Sequence, residues 1–151
     1  MGPGVPHAPG GEGLRLVFDT RSLLKLLFDE PGGREVESLV RAVDAGRSEG
    51  FVSAVTITEL WYLIARRDET EAENAIATVL GSLDLVPMEL TISRLAGRFK
   101  AAKRIPIADA IIAATASALG AVVVTDDPDF QGLGVDVETE SDLAQRVGKK
   151  P

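Results

Sequence analysis

Apolar and polar positions along the chain repeat with two alternating periods. "LRLVFD" (14–19) is a short apolar run ending on an aspartate, as expected of a buried strand. "TRSLLKLLFDE" then spaces Leu23, Leu24, Leu27 and Phe28 along one helical face and stops at Pro31-Gly32-Gly33. "REVESLVRAVDAG" (34–46) sets Val36, Leu39, Val40 and Val43 on one face and closes on glycine. "FVSAV" (51–55) predicts a second strand, and "TITELWYLIARR" (56–67) and "ETEAENAIATVLGSL" (69–83) two helices. A third strand, "LDLVPM" (83–88), precedes the helices "TISRLAGRFKAAK" (91–103) and "IADAIIAATASALG" (107–120). "AVVVT" (121–125) is a fourth strand, "VDVET" (135–139) a fifth, and "ESDLAQRV" (140–147) a terminal turn or helix.

Strands separated by helices predict an α/β fold of three layers, with a central parallel sheet of four to five strands covered on both sides. The all-apolar "AVVV" fits such a sheet, whose strands are buried on both faces. No internal repeat or second compositional regime divides the chain. It is read as a flexible Gly/Pro-rich leader (1–13), one domain (14–147) and a short tail (148–151).

Composition narrows the function classes. At 45% hydrophobic content the chain can build a real core, and no apolar run approaches the roughly 20 residues of a membrane span. The start, "MGPGVPHAPGGEG", has neither the basic region nor the apolar core of a signal peptide, so a cytoplasmic location is expected. With no cysteine, disulfides and thiol catalysis are excluded. The net charge of −7 argues against a general electrostatic nucleic-acid binder. It leaves room for a nuclease whose bound cations offset the negative charge locally.

The chemistry gathers at "AVVVTDDPDF" (121–130), where a core strand runs into three aspartates. In open parallel sheets ligands bind beyond the carboxyl ends of the strands. On that rim fall Asp19 after the first strand, Glu59 early in the helix after the second, and Asp126 and Asp127 after the fourth. Asp109, in the opening turn of the Ala-rich helix, joins them if "TISRLAGRFKAAKRIP" carries the chain back to the same rim. Oxygen donors without Cys or His suit Mg²⁺ or Mn²⁺, which serve in-line displacement at phosphorus. At a helix start, exposed N–H groups also favour the anionic form of Asp109.

Each acid has an ordinary structural role available to it. Asp19 serves as a helix cap, Glu59 as a capping-box glutamate answering Thr56, Asp109 as a first-turn acid, and "DDPD" as a turn. Their placement together on one predicted rim is what these roles leave unexplained.

"VFDTRSLLKLL", "VSAVTITEL" and "IPIADAIIAATASALGAVVVTDDPDF" together resemble the PIN-domain ribonucleases, most nearly the VapC-type toxins of toxin–antitoxin pairs. The likeness runs from Leu14 to about Val137, with the pieces in family order and at family spacing. It implies a PIN-like fold and metal-binding, catalytic acids at Asp19, Glu59, Asp109 and Asp127. Thr125 matches the family's hydroxyl beside the site, and Ser53 and Thr58 match polar positions near Glu59 that support it. Asp126 occupies a variable position, and Asp129 with Phe130 matches the segment that closes the loop. The resemblance further implies an Mg²⁺- or Mn²⁺-dependent endoribonuclease acting on RNA, a homodimer and a cognate antitoxin protein. Arg21, Arg66, Arg67, Lys103 and Arg104 are the candidates for phosphate contacts. Arg21 departs from the family, in which a small residue is usual two positions after the first aspartate.

Three other readings compete with this one. A phosphoacceptor receiver domain needs an acidic pair after the first strand and a lysine after the last, and "FDTRS" and "VDVET" supply neither. An aspartyl-nucleophile phosphatase needs an aspartate where Arg21 stands. A non-catalytic PIN-like module that binds RNA or protein remains the alternative.

Overall fold

The first apolar run forms the central strand. In the computed structural model, which describes residues 13–148, β1 (Arg15–Phe18) lies between β2 (Glu49–Ser53) and β4 (Val122–Val124). Outside them sit β3 (Asp84–Val86) and β5 (Asp136–Glu138), giving the order β3-β2-β1-β4-β5 with every pairing parallel. Most of the leader, and the tail beyond residue 148, lie outside the described residues. The helices follow the predicted order: α1 (Thr20–Leu27), α2 (Gly33–Asp44), α3 (Ala54–Ala65), α4 (Glu69–Leu80), α5 (Leu90–Ala102), α6 (Ile107–Leu119) and α7 (Glu140–Gly148).

Side chains on β1 alternate between two cores, as the pleat requires. Leu16 and Phe18 join Leu23, Leu39, Leu60 and Leu143 on the face covered by α1, α2, α3, α4 and α7. Val17 joins Val123, Ile112 and Ala113 on the face covered by α6, against which α5 packs. This is the expected three-layer α/β/α arrangement. Helix α6 is buried nearly all round at Ala108, Ala110, Ile111, Ile112, Ala113, Ala114 and Ala116. Its alanines let it lie close to the sheet while α5 covers its other side, so it is apolar on every face rather than along one stripe.

One boundary differs from the sequence reading. "FVSAV" is not all strand, because Ser53 caps α3 by accepting the N–H of Val55 at 3.2 Å, which places Ala54 and Val55 in the helix. The apolar surface of "ELWYLIA" divides: Trp61 packs against the core, whereas Tyr62 is exposed under the guanidinium of Arg66, 5.3 Å from its ring centre.

The chain builds outward from β1 to β3 and then returns to add β4 and β5 on the other side. The strand order therefore reverses between β1 and β4, the position at which open α/β sheets leave a crevice beyond their carboxyl ends. Asp19 and Thr125 leave the sheet at that point.

Candidate metal centre

Asp19 caps α1, with its Oδ1 accepting the N–H of Ser22 at 2.7 Å. It is nonetheless buried, and burial pushes its carboxyl above the usual range against the opposing hydrogen bonds of Thr125 and Ser22. Thr125 is the hinge of the site. Its hydroxyl bonds the Asp19 side chain, and the same oxygen accepts the N–H of Asp127 at 3.0 Å.

The period-2 alternation of β4 continues into this loop. Val123 faces α6 and Val124 faces the α1 side, so Thr125 and Asp127 fall toward α6 while Asp126 falls toward α1. Accordingly Asp127 meets Asp109 from the first turn of α6, and Asp126 pairs with Lys25 and Arg21 of α1, at 2.7 and 3.3 Å. Asp127 also caps the 3-10 turn Pro128–Phe130 by accepting the N–H of Asp129 at 2.9 Å. That turn swings the Asp129 carboxylate inward. Asp109, Asp127 and Asp129 each offer one carboxylate oxygen, and these oxygens lie within 4.8 Å of one another.

Asp19 and Glu59 stand outside this close trio but within its field. The Asp109 carboxyl is pushed up to about 7, first by burial and then by the charges of Asp127, Asp129, Asp19 and Glu59. The favourable helix-start environment expected for this aspartate is therefore outweighed. Glu59 is held by Thr20, whose hydroxyl donates to its Oε1 at 2.6 Å and lies 3.2 Å from the hydroxyl of Thr56.

Thr20 and Asp129 are the site residues that the sequence reading missed. Thr20 follows Asp19 directly, but its partner is 39 residues away. Asp129 had a local signal, the Asp-Pro-Asp turn chemistry of "DDPDF", which was read only as loop closure. Ser53 is buried as the α3 cap, and Thr58 is exposed on α3, so the hydroxyl that reaches Glu59 belongs to Thr20 instead.

The candidate basic residues divide as well. Arg21 is exposed at the rim and, with Arg67, lines an open groove of about 930 Å³ that also takes in Leu24, Phe28 and Leu63. Arg67 lies over the Phe28 ring at 5.0 Å and pairs with Glu71. Arg66 covers Tyr62, and Arg104 is exposed. The Lys103 ammonium donates to the carbonyls of Asp129 and Gln131 at 3.0 and 2.5 Å, so it ties down the far end of the site loop.

A group of carboxylates this close, all hard oxygen donors, fits a divalent cation of the Mg²⁺ or Mn²⁺ type. The elevated Asp109 carboxyl is consistent with this, since after burial its cause is the charge of Asp127, Asp129, Asp19 and Glu59.

Comparison with known proteins bears on this arrangement. No curated protein sequence matches the chain. Among solved structures it resembles VapBC2 from Rickettsia felis bound to a promoter DNA fragment, at TM-score 0.69 and 16% identity, covering 83% of this chain and 98% of that one. It also resembles DNA-bound VapBC from Salmonella typhimurium, at TM-score 0.66 and 22% identity over 84% and 98% of the two chains. A third likeness is to Mycobacterium tuberculosis VapC20, a sarcin-ricin loop cleaving toxin, at TM-score 0.64 and 17% identity over 80% and 95%. At these identities the likeness is one of fold. The PIN domain family model matches residues 16–135, from the central strand through the loop that carries Asp127 and Asp129. The chain therefore belongs to the PIN domain family.

Proposed function

We propose that this chain is an Mg²⁺- or Mn²⁺-dependent endoribonuclease that hydrolyses RNA phosphodiester bonds as the toxin of a toxin–antitoxin pair. One observation carries the reading: Asp109, Asp127 and Asp129 bring carboxylate oxygens within 4.8 Å of one another near the reversal point of the sheet, within the field of Asp19 and Glu59 and with no ion pair to them among the described residues. Asp109, Asp127, Asp19 and Glu59 would hold the metal, with Asp129 as a further oxygen donor. When bound, such ions activate water and stabilise the charge that develops in in-line displacement at phosphorus.

The chain's own residues fix the geometry for that chemistry. Thr125 sets the spacing of Asp19 from Asp127, and Thr20 fixes the rotamer of Glu59. Asp109 must lose its proton before it serves as a ligand, so metal occupancy should fall as the pH drops below about 7. Arg21, exposed at the rim, is a candidate phosphate contact, with Arg67 lining the same groove.

The structural relatives described as VapBC complexes, and VapC20, support two finer parts of this reading, an RNA substrate and a cognate antitoxin, while the homodimer rests on the family resemblance alone. Purified protein incubated with RNA should cleave it, lose activity in EDTA and regain it with Mg²⁺ or Mn²⁺. Asp127→Asn should lower the rate at least a hundredfold, the loss of a few kcal/mol of transition-state stabilisation. RNA binding without cleavage at any metal concentration would establish the non-catalytic module instead.

A further inference from the structure

Asp126 and Asp127 are adjacent, chemically identical acids at the end of one strand, and only one of them faces Asp109. Hydrogen bonding to Asp19 and Asp127 through Thr125 favours the observed register but does not exclude the other. Shifting the loop by one residue would exchange the two carboxylates, as any one-residue slip of extended chain exchanges its faces. Something on the α1 side must hold Asp126 there.

That something is Lys25. It lies in the last turn of α1 and is buried, with its ammonium 2.7 Å from Asp126 Oδ2 and 2.5 Å from Glu140 Oε2. Glu140, the first residue of α7, is also buried, and its second carboxylate oxygen has no hydrogen-bond partner. A buried carboxylate in this position requires a cation, so Glu140 keeps Lys25 in place and charged while Lys25 reaches Asp126. Two glycines make room for the arrangement. A Cβ on Gly32 would lie 2.6 Å from Glu140 Oε2, and one on Gly33 would lie 2.4 Å from the Lys25 carbonyl oxygen. Arg21 also pairs with Asp126, but it is exposed and 3.3 Å away, so solvent and salt weaken its hold.

We infer that Lys25, anchored by Glu140 of the terminal helix, is a positioning residue that draws Asp126 out of the metal centre and so selects Asp127 as the metal-facing acid. The inference rests on the metal-centre reading above. It adds a residue that touches none of the reacting atoms and a dependence of the site on α7.

The test uses the full chain and Mn²⁺ alone, with the affinity read by titration calorimetry rather than by RNA cleavage. Lys25→Met by itself strands a buried carboxylate and endangers folding. The variant to measure is therefore the double Lys25→Met/Glu140→Gln, which removes one positive and one negative charge and leaves the net charge unchanged. Circular dichroism melts in EDTA establish that each variant is folded at the titration temperature. The double variant should bind Mn²⁺ about tenfold more weakly than wild type. Lys25→Arg, which keeps a cation at the position, should stay within about threefold of wild type.

The deciding arm adds Asp126→Asn to the double variant, removing the competing carboxylate. If Lys25 acts by sorting the two aspartates, this third change restores most of the lost affinity. A folded double variant with wild-type affinity overturns the inference. So does a weakened affinity that Asp126→Asn leaves unrestored, since a purely structural role gives that result. If wild type binds no Mn²⁺, the metal-centre reading fails and takes this assignment with it.

Discussion

On the α6 side of β4, Asp109, Asp127 and Asp129 crowd together within the field of Asp19 and Glu59, with no ion pair among the described residues. On the α1 side, one residue along the same strand, Asp126 and Glu140 share the ammonium of Lys25. Both groups are built from carboxylates at or near the surface of one sheet, and the fold treats them oppositely. The paired group shows that a cation was within reach of this region. Its absence from the other group is a property of that site: burial and then the neighbouring acids push the Asp109 carboxyl up to about 7, while Asp126, bonded to Lys25, falls below the usual range. Acids left uncompensated lower the stability of the metal-free fold, and a cation that can come and go recovers the difference.

The largest effect that sharpens this contrast should come from the paired side. Lys25→Met leaves Glu140 buried without its partner and should cost about 3–5 kcal/mol. Thermal melts should show that loss in EDTA and a loss larger by about 1.4 kcal/mol in excess Mg²⁺, because losing Lys25 also weakens metal binding about tenfold; a loss that Mg²⁺ abolishes would mean the two groups are one.

The unpaired side should respond to metal and to pH. Mg²⁺ at a hundredfold excess over its dissociation constant should add about 2.7 kcal/mol. Without metal, the folded Asp109 keeps its proton to about 7, whereas the unfolded chain releases it near 3.8. Between those values the native state binds more protons, so its contribution to stability falls as pH rises and is constant above. Asp126, with its lowered value, contributes stability that is present above 3.8 and lost only in stronger acid. Metal-free melts of wild type should therefore decline from pH 4 to 7. Asp109→Asn should flatten that decline, raise the melting temperature at pH 7 and shrink the Mg²⁺ shift. A mutant that melts lower at pH 7 and keeps the whole shift would make Asp109 an ordinary helix-start acid.

The smallest effect separates the two threonines near Glu59. Exposed Thr58→Ala should change stability by no more than about 0.5 kcal/mol and leave Mn²⁺ affinity unchanged. Thr20→Val, which removes the hydroxyl bonded to Glu59, should weaken that affinity measurably. Equal responses would return Thr58 to the site.

These contrasts also mark what the sequence could disclose. The layers were legible because Leu16, Val17 and Phe18 are apolar on both faces and the helices repeat their own period. The rim acids were legible because strand ends in a parallel sheet share one edge, which places Asp19 and Asp127 together without any knowledge of contacts. Lys25 was not legible as more than a polar position in an apolar helix. Its partners lie 101 and 115 residues away, and nothing local distinguishes a lysine that will be buried from one in solvent. The bonds of Lys103 to the loop carbonyls were not legible for a related reason, because a free cation and one bonded to carbonyls are written with the same letter.

The order of the strands also has a consequence in time. A chain emerging from the ribosome at about 5–20 residues per second presents Asp19 and Glu59 early, on the half of the sheet made by β1, β2 and β3. Asp109 comes later on α6, Asp127 only with the end of β4, and Glu140, which anchors Lys25, only with α7. No shorter nascent chain can assemble the carboxylate centre, because β4 must first insert beside β1, joining Val17 to Val123. The proposed attack on RNA is thus withheld from the RNA-built machine that makes the enzyme until β4 and the loop after it have been made.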